Sequence, residues 1–93
     1  MEENWDGHEK SLRQLLGYVK KSLSSSEQRE VVDYIKDSEF EAAMEAIVDA
    51  LVEKKAPLTK QALDAIKKLS IAMELPGEFT RVKHLAKSAE GTK

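Results

Sequence analysis

Four carboxylates recur at intervals of four residues, at Glu41, Glu45, Asp49 and Glu53. On a helix, side chains at this spacing lie on one face, so the four carboxylates would form a slowly drifting row. Such a row could contribute to a di-metal centre if other helices supplied inward-facing Glu-x-x-His ligands. No histidine occurs at that spacing, and the row is expected to face outward. The sequence therefore predicts no metal site.

The same row has two other interpretations. Like charges four residues apart on a helix repel by about 0.2–0.5 kcal/mol per pair. A helix face that is simply exposed to solvent more often includes lysines among its acidic residues. Segment 33–53 contains seven acidic residues and one basic residue, a net charge of −6, whereas the rest of the chain carries +4. The segment is either a solvated helix face or a surface that attracts a cationic partner.

Catalytic chemistry has few candidate residues in this chain. There is no cysteine, and the two histidines are His8 and His84. His8 lies near the terminus and His84 lies among basic residues of a weak helix, so both are expected on the surface. Neither a Gly-x-Gly-x-x-Gly motif nor a phosphate-binding Gly-Lys-Ser/Thr loop occurs. We expect no enzymatic activity and no cofactor.

The basic residues of the C-terminal third raise the alternative of nucleic-acid binding, because two helices joined by a Pro-Gly turn could imitate a helix-turn-helix. These residues are Lys60, Lys67, Lys68, Arg81, Lys83 and Lys87. DNA-binding domains usually carry a stronger positive balance and polar side chains that read bases. A mixed charged surface is the simpler interpretation.

Hydrophobic residues recur at three- and four-residue steps, the pattern of amphipathic helices, and no segment alternates with the period of two of a strand. The predicted helices are 8–21, 27–36, one between Ser38 and Pro57, 60–73 and a weaker one at 78–87. Short connections favour antiparallel neighbours. The predicted fold class is all-α, a compact bundle of four to five short antiparallel helices. It forms one domain, residues 1–93, with frayed ends at 1–7 and 88–93.

Each helix is predicted to bury one apolar stripe. The inward-facing residues are Leu12, Leu15, Leu16, Val19 and Leu23, then Val31, Val32 and Ile35, then Phe40, Ala43, Met44, Ile47, Val48 and Leu51, then Ala62, Leu63, Ile66, Leu69, Ser70 and Met73, and finally Phe79, Val82, Leu85 and Ala86. The six residues of the third helix occupy an arc of about 140° at 100° per residue. This makes the third helix the strongest helix prediction.

Polar residues at the helix starts are candidate N-caps. Asp6 and Ser26 would cap the first two helices, and Thr59 the fourth. Ser38 followed three residues later by Glu41 matches a capping box.

Two glycines also carry expectations. Gly17 weakens a helix by about 1 kcal/mol relative to Ala, so it would mark a close helix contact. The Pro76-Gly77 pair would end the fourth helix with a turn.

The sequence predicts a cytoplasmic protein. The start of the chain, residues 1–10, is polar and acidic, unlike the basic start and apolar middle of a signal peptide. No apolar run approaches the roughly 18 residues of a membrane span. The lack of cysteine favours a reducing compartment, since small secreted domains usually need disulfides.

A resemblance to a known family rests on the stretch 26–75, about 50 of the 93 residues. An acidic step ending in Glu-Phe leads into an Ala-rich helix, and Ala-Pro-Leu-Thr opens the next helix. The matching residues are Asp33, Asp37, Glu39, Phe40, Ala43, Leu51, Pro57, Leu58 and Thr59. The stretch resembles the MafI-type immunity proteins, small bacterial antitoxins encoded beside polymorphic or contact-dependent toxins.

The resemblance implies a protein without enzymatic activity that binds one cognate toxin, commonly a nuclease, and blocks its active site or substrate path in a 1:1 complex. Nucleases present basic clefts to phosphates, and an acidic helix face could occupy one. The candidate partner-binding residues are Asp33, Tyr34, Asp37, Glu39, Glu41, Glu45, Asp49 and Glu53, with Tyr34 as an aromatic anchor. The alternative is a small helical adaptor that binds a protein unrelated to toxins.

Overall fold

The amphipathic periodicity produces an all-helical fold. The computed structural model describes residues 2–85, with side chains from residue 7 onward. The helices are α1 (Glu2–Val19), α2 (Ser25–Lys36), α3 (Phe40–Lys54), α4 (Lys60–Ala72) and α5 (Pro76–Val82), with short 3₁₀-helices at Lys20–Ser22 and Lys83–Leu85. No strand forms within residues 2–85. The predicted all-α class is confirmed.

The third helix is the centre of the bundle. It packs against α1, α2 and α5, while α4 packs against α1 and α5. All six residues predicted to face inward from α3 are buried, and Ala50 joins them. A fully buried Leu, Ile or Met side chain contributes about 1.5–3 kcal/mol relative to an exposed one, so α3 supplies a large share of the core. Its outer face remains available for another role.

The other predicted core residues largely follow the same pattern. Leu16, Leu63 and Phe79 are only partly buried against the core, as is Val32, and Ala86 lies outside the described residues. The remaining predicted residues of α1, α2, α4 and α5 are buried. Ser70 is also buried, at 1% exposure, and its hydroxyl oxygen has no hydrogen-bond partner among the described residues.

The connection between α3 and α4 adds core residues that the periodicity does not predict. Ala56 and Leu58 are buried on either side of Pro57. The Leu58 amide donates a hydrogen bond to the Leu85 carbonyl at 2.8 Å. This bond joins the start of α4 to the end of the described chain.

The helix starts differ from several predicted caps. α1 begins at Glu2, so Asp6 lies inside the helix rather than at its N-cap. Residues 2–7, which were predicted to fray, are therefore part of α1. Ser24, not Ser26, caps α2. Its hydroxyl accepts from the Glu27 amide at 3.1 Å, and the Glu27 carboxylate accepts from the Ser24 amide at 2.8 Å. The N-cap of α2 therefore lies two residues earlier than predicted, and it forms a capping box with Glu27.

The capping box predicted at Ser38 and Glu41 is wrong. Glu39 is the N-cap of α3, without a side-chain hydrogen bond, because Ser38 adopts a left-handed conformation with φ of 61° at the end of α2. The predicted cap of α4 is confirmed, since the Thr59 hydroxyl accepts from the Ala62 amide at 3.1 Å.

Three helices end in the same Schellman motif. For α2 the bonds are Glu39 N–H to Tyr34 C=O and Ser38 N–H to Ile35 C=O; for α3, Ala56 to Leu51 and Lys55 to Val52; for α4, Leu75 to Ser70 and Glu74 to Ile71. In this motif one residue adopts a left-handed conformation and is usually glycine. Here that residue is Ser38 after α2, Lys55 after α3 and Glu74 after α4, with φ of 61°, 53° and 59° respectively. Each helix thus ends sharply at a non-glycine residue that carries a steric cost.

The two glycine expectations fail for different reasons. A Cβ at Gly17 would meet no atom within 4 Å, so this exposed glycine marks no close helix contact. Pro76 does not end α4; it occupies the first turn of α5, a position that tolerates its missing amide. The α-helix there ends at Val82 and continues as a 3₁₀ turn to Leu85. The tail predicted to fray, 88–93, lies outside the described residues.

Candidate protein-binding groove

A groove of about 270 Å³ runs between α2 and α3. Its floor consists of Ala42, Ala46 and Ala50, spaced four apart on α3. Its rim consists of Tyr34 and five carboxylates, and we call the whole feature the acidic groove. The rim residues are Glu27, Glu30, Tyr34, Glu45, Asp49 and Glu53. The groove therefore combines an apolar floor with an anionic rim.

The two helices position this rim through their helical repeats. Glu27, Glu30 and Tyr34 lie three and four residues apart on α2, and Glu45, Asp49 and Glu53 lie four apart on α3, so each set shares one face. Tyr34 is half-buried, with its hydroxyl 3.5 Å from a Glu30 oxygen. The small alanine side chains leave the space that forms the groove.

A lysine of the protein itself occupies one end of the acidic groove. Lys54 Nζ forms an ion pair with Glu27 and donates to the Ser22 carbonyl at 2.9 Å. The hydrogen bond from Lys54 is the largest cause that holds the pKa of Glu27 below its ordinary value, and the bond from the Ser24 amide adds to it. Glu27 is therefore fixed as a carboxylate and already has a cationic partner.

An arginine from another helix forms an ion pair with a second rim carboxylate. Arg81 of α5 lies 2.8 Å from an Asp49 oxygen and 3.3 Å from Glu78. The hydrogen bond to Asp49 is the largest cause that raises the pKa of Arg81 further above its ordinary value. Since the Arg81 and Asp49 side chains are 42% and 62% exposed, solvent weakens the pair to at most about 1 kcal/mol. The pair nevertheless directs the Asp49 carboxylate toward α5.

The remaining rim carboxylates, Glu30, Glu45 and Glu53, are exposed. Within residues 7–85, no ion pair involves any of them. Their negative charge is therefore open to an external cation. Among residues 2–85, no group of His, Cys, Asp or Glu is arranged to hold a metal ion.

The predicted partner-binding residues divide into two groups. Tyr34, Glu45, Asp49 and Glu53 line the acidic groove. The other four predicted residues, Asp33, Asp37, Glu39 and Glu41, are exposed but do not line it. Asp37 is the C-cap of α2.

A second cavity, of about 600 Å³, lies at one end of the bundle. Glu39 and Glu41 border it together with His8, Phe40 and Glu74. His8 is half-buried, and its ring meets the Phe40 ring edge-on at 6.0 Å. The expectation of a surface histidine is therefore wrong for His8, whereas His84 is exposed.

Sequence reasoning missed Glu27 and Glu30. Both precede the acidic segment that begins at Asp33, so a count of charge along the chain does not include them. Their spacing to Tyr34 gives the signal: three and four residues separate Glu27, Glu30 and Tyr34, which places them on one helix face. The pairing of that face with α3 requires the tertiary structure.

Two of the basic residues of the C-terminal third, Arg81 and Lys67, contact other side chains, and Lys87 lies outside the described residues. Arg81 contacts Asp49, and Lys67 lies 6.0 Å from the centre of the Phe79 ring. Moreover, α5 has only seven residues, which is short for a recognition helix that must lie along a major groove.

No family model, curated protein or solved structure matches the chain. None of the helices within residues 2–85 has the length and apolar character needed to cross a membrane. The fold and the groove define a small all-helical protein with one strongly anionic face.

Proposed function

We propose that this chain is an immunity protein that binds a cationic toxin through the acidic groove. The observation that carries the proposal is the set of three exposed rim carboxylates, Glu30, Glu45 and Glu53, for which residues 7–85 provide no cationic partner. Unbalanced charge of one sign accelerates association with an oppositely charged surface and disfavours anionic partners. The alanine floor and Tyr34 supply apolar contact area between the charges.

A protein is a better partner for this groove than a metabolite. Its volume of about 270 Å³ is below the roughly 300–1,000 Å³ of small-molecule pockets. Four of the six rim side chains, Glu30, Glu45, Asp49 and Glu53, are exposed, which suits a broad interface.

The toxin assignment comes from the resemblance to MafI-type immunity proteins, and the groove's chemistry agrees with it. A nuclease carries a basic cleft for phosphates, and the acidic rim would compete for that cleft. The proposed activity is stoichiometric inhibition in a 1:1 complex in the cytoplasm, without catalysis by the immunity protein.

The test expresses the products of the genes that neighbour the gene of this chain, and it measures their association rate with the chain and the inhibition of any nuclease among them. The Glu45→Gln/Glu53→Gln variant removes two open rim charges. A matched control, Asp64→Asn/Glu74→Gln, removes the same net charge from exposed positions outside the groove and outside the predicted contact set. We expect the groove variant to associate about tenfold more slowly at low salt, with a smaller difference at high salt.

Two outcomes would count against parts of the proposal. Equal effects of the two variants would remove the groove from the interface. If the neighbouring nuclease does not bind while another cationic protein binds through the groove, the toxin assignment fails and the groove retains its role.

A further inference from the structure

The acidic groove already binds cationic side chains of its own chain. Lys54 neutralises Glu27 and Arg81 neutralises Asp49. Arg81 comes from α5, a different element from the two helices that form the groove. These contacts show that the rim geometry accepts ammonium and guanidinium groups, and among the residues that the structure describes they leave three of the five carboxylates without an ion pair.

We infer that a partner protein inserts lysine or arginine side chains between the open carboxylates Glu30, Glu45 and Glu53, and that Arg81 is a built-in competitor that limits this binding. The inference rests on the proposed function and assigns which rim residues make the contacts. Asp49 and Glu27 then serve the fold, while the three open residues serve recognition.

The shape of the groove fits this occupant. Lysine and arginine place an apolar stem beneath a charged head, and the floor of Ala42, Ala46 and Ala50 gives that stem an apolar surface. Tyr34 forms part of the rim, where its ring can contact a cation. The head group then reaches the open carboxylates. A neutral or anionic side chain would gain the apolar contact alone.

Arg81 limits this binding in two ways. Its positive charge lies at the rim and repels an incoming cation, and its bond to Asp49 removes one carboxylate from the set available to a partner. Replacement by glutamine would remove both effects. The gain is bounded by the energy of an exposed ion pair, about 0.2–1 kcal/mol, which corresponds to about a two- to fivefold change in Kd.

The test is a fluorescence-anisotropy titration of the full chain with a fluorescein-labelled helical peptide that carries two arginines four residues apart. The Arg81→Gln variant should bind the peptide about two- to fivefold more tightly than the wild type. The matched control is Arg13→Gln, which changes the net charge equally and breaks a similarly exposed pair with Glu9 on α1. We expect Arg13→Gln to bind like the wild type.

Glu45→Gln should weaken binding about two- to fivefold, and Asp49→Asn should change it less, because Asp49 is already paired. Equal tightening by Arg81→Gln and Arg13→Gln would show that net charge alone governs binding and would overturn the inference. Circular dichroism checks the fold of each variant. If Arg81→Gln unfolds, a wild-type NMR titration decides instead: shifts centred on residues 30, 45 and 53 support the inference, and shifts centred on α4 refute it.

The peptide and toxin experiments fail independently. Peptide binding in the groove without toxin binding would refute the toxin assignment alone. Toxin inhibition without peptide binding in the groove would refute the assignment of Glu30, Glu45 and Glu53 as the contacts.

Discussion

Replacement of Lys55 by glycine should stabilise the protein relative to replacement by alanine. Lys55 ends α3 in a left-handed conformation with φ of 53°. That conformation costs an L-residue with a Cβ about 1–2 kcal/mol, while glycine is destabilised by about 0.5–1 kcal/mol through its greater freedom in the unfolded chain. The difference leaves a net gain of about 1 kcal/mol for glycine over alanine.

Both variants remove the same lysine charge from the end of α3, so the loss of its interaction with the helix dipole cancels in the comparison. The assay is urea unfolding followed by circular dichroism, supported by thermal melts. For a domain of this size, about 1 kcal/mol corresponds to a rise of roughly 4–8 °C in Tm. The Glu74→Gly and Glu74→Ala pair repeats the comparison at the end of α4, where φ is 59°.

The control for glycine itself is Arg29→Gly, at an exposed position within α2, where glycine should destabilise by about 1 kcal/mol. If the glycine and alanine variants at Lys55 and Glu74 have equal stability, or if the glycine variants are weaker, then the left-handed conformation costs no more than the flexibility of glycine in the unfolded chain, and the reasoning is wrong.

Three further perturbations test other parts of the fold. Ser70→Ala should raise the free energy of unfolding by about 1 kcal/mol because it removes a buried hydroxyl without a partner among the described residues; a loss of stability in urea unfolding would mean that the hydroxyl is satisfied. Gly17→Ala should add about 0.5–1 kcal/mol, since the helix gains propensity and the new Cβ meets open space; an unchanged Tm would argue against this. Glu27→Gln should flatten the acid dependence of stability. The folded-state pKa of Glu27 is lowered, so its contribution is present above the unfolded pKa of about 4.3 and is lost as pH falls through the folded value. Urea unfolding of both proteins between about pH 6 and pH 3 measures the difference, and parallel curves would contradict the role of the Lys54 pair.

The fold class follows from the sequence because one physical rule, burial of an apolar stripe on each helix, decides it. Phe40, Ala43, Met44, Ile47 and Leu51 recur at three- and four-residue steps, and all are buried. The burial of residues outside a periodic stripe cannot be predicted by this rule. Leu58 is buried in a connection between helices, where no repeat predicts its direction.

Local cap patterns were less informative where helices follow each other closely. Ser38 and Glu41 satisfy the sequence pattern of a capping box, but Ser38 belongs to the end of α2. A short pattern does not distinguish the end of one helix from the start of the next when few residues separate them. The Schellman ends lack glycine, so their usual sequence signal is absent as well.

Only part of the candidate site, mainly its residues on α3, could be predicted from the sequence. The regular spacing of Glu45, Asp49 and Glu53 shows that they share one face of α3. It does not show that α2 lies beside that face, which brings in Glu30, nor that α5 supplies Arg81 to Asp49. Charge counted along the chain therefore differs from charge available at the surface.

The hydrogen bond from the Leu58 amide to the Leu85 carbonyl joins the two ends of the segment that contains α4 and α5. A chain shortened before Leu85 would leave that amide, on a residue only 2% exposed, without its acceptor and would remove one of the contacts that hold the end of α5 near the start of α4. A contact near the end of the described chain therefore helps to hold α5, and with it Arg81, beside Asp49 of the acidic groove.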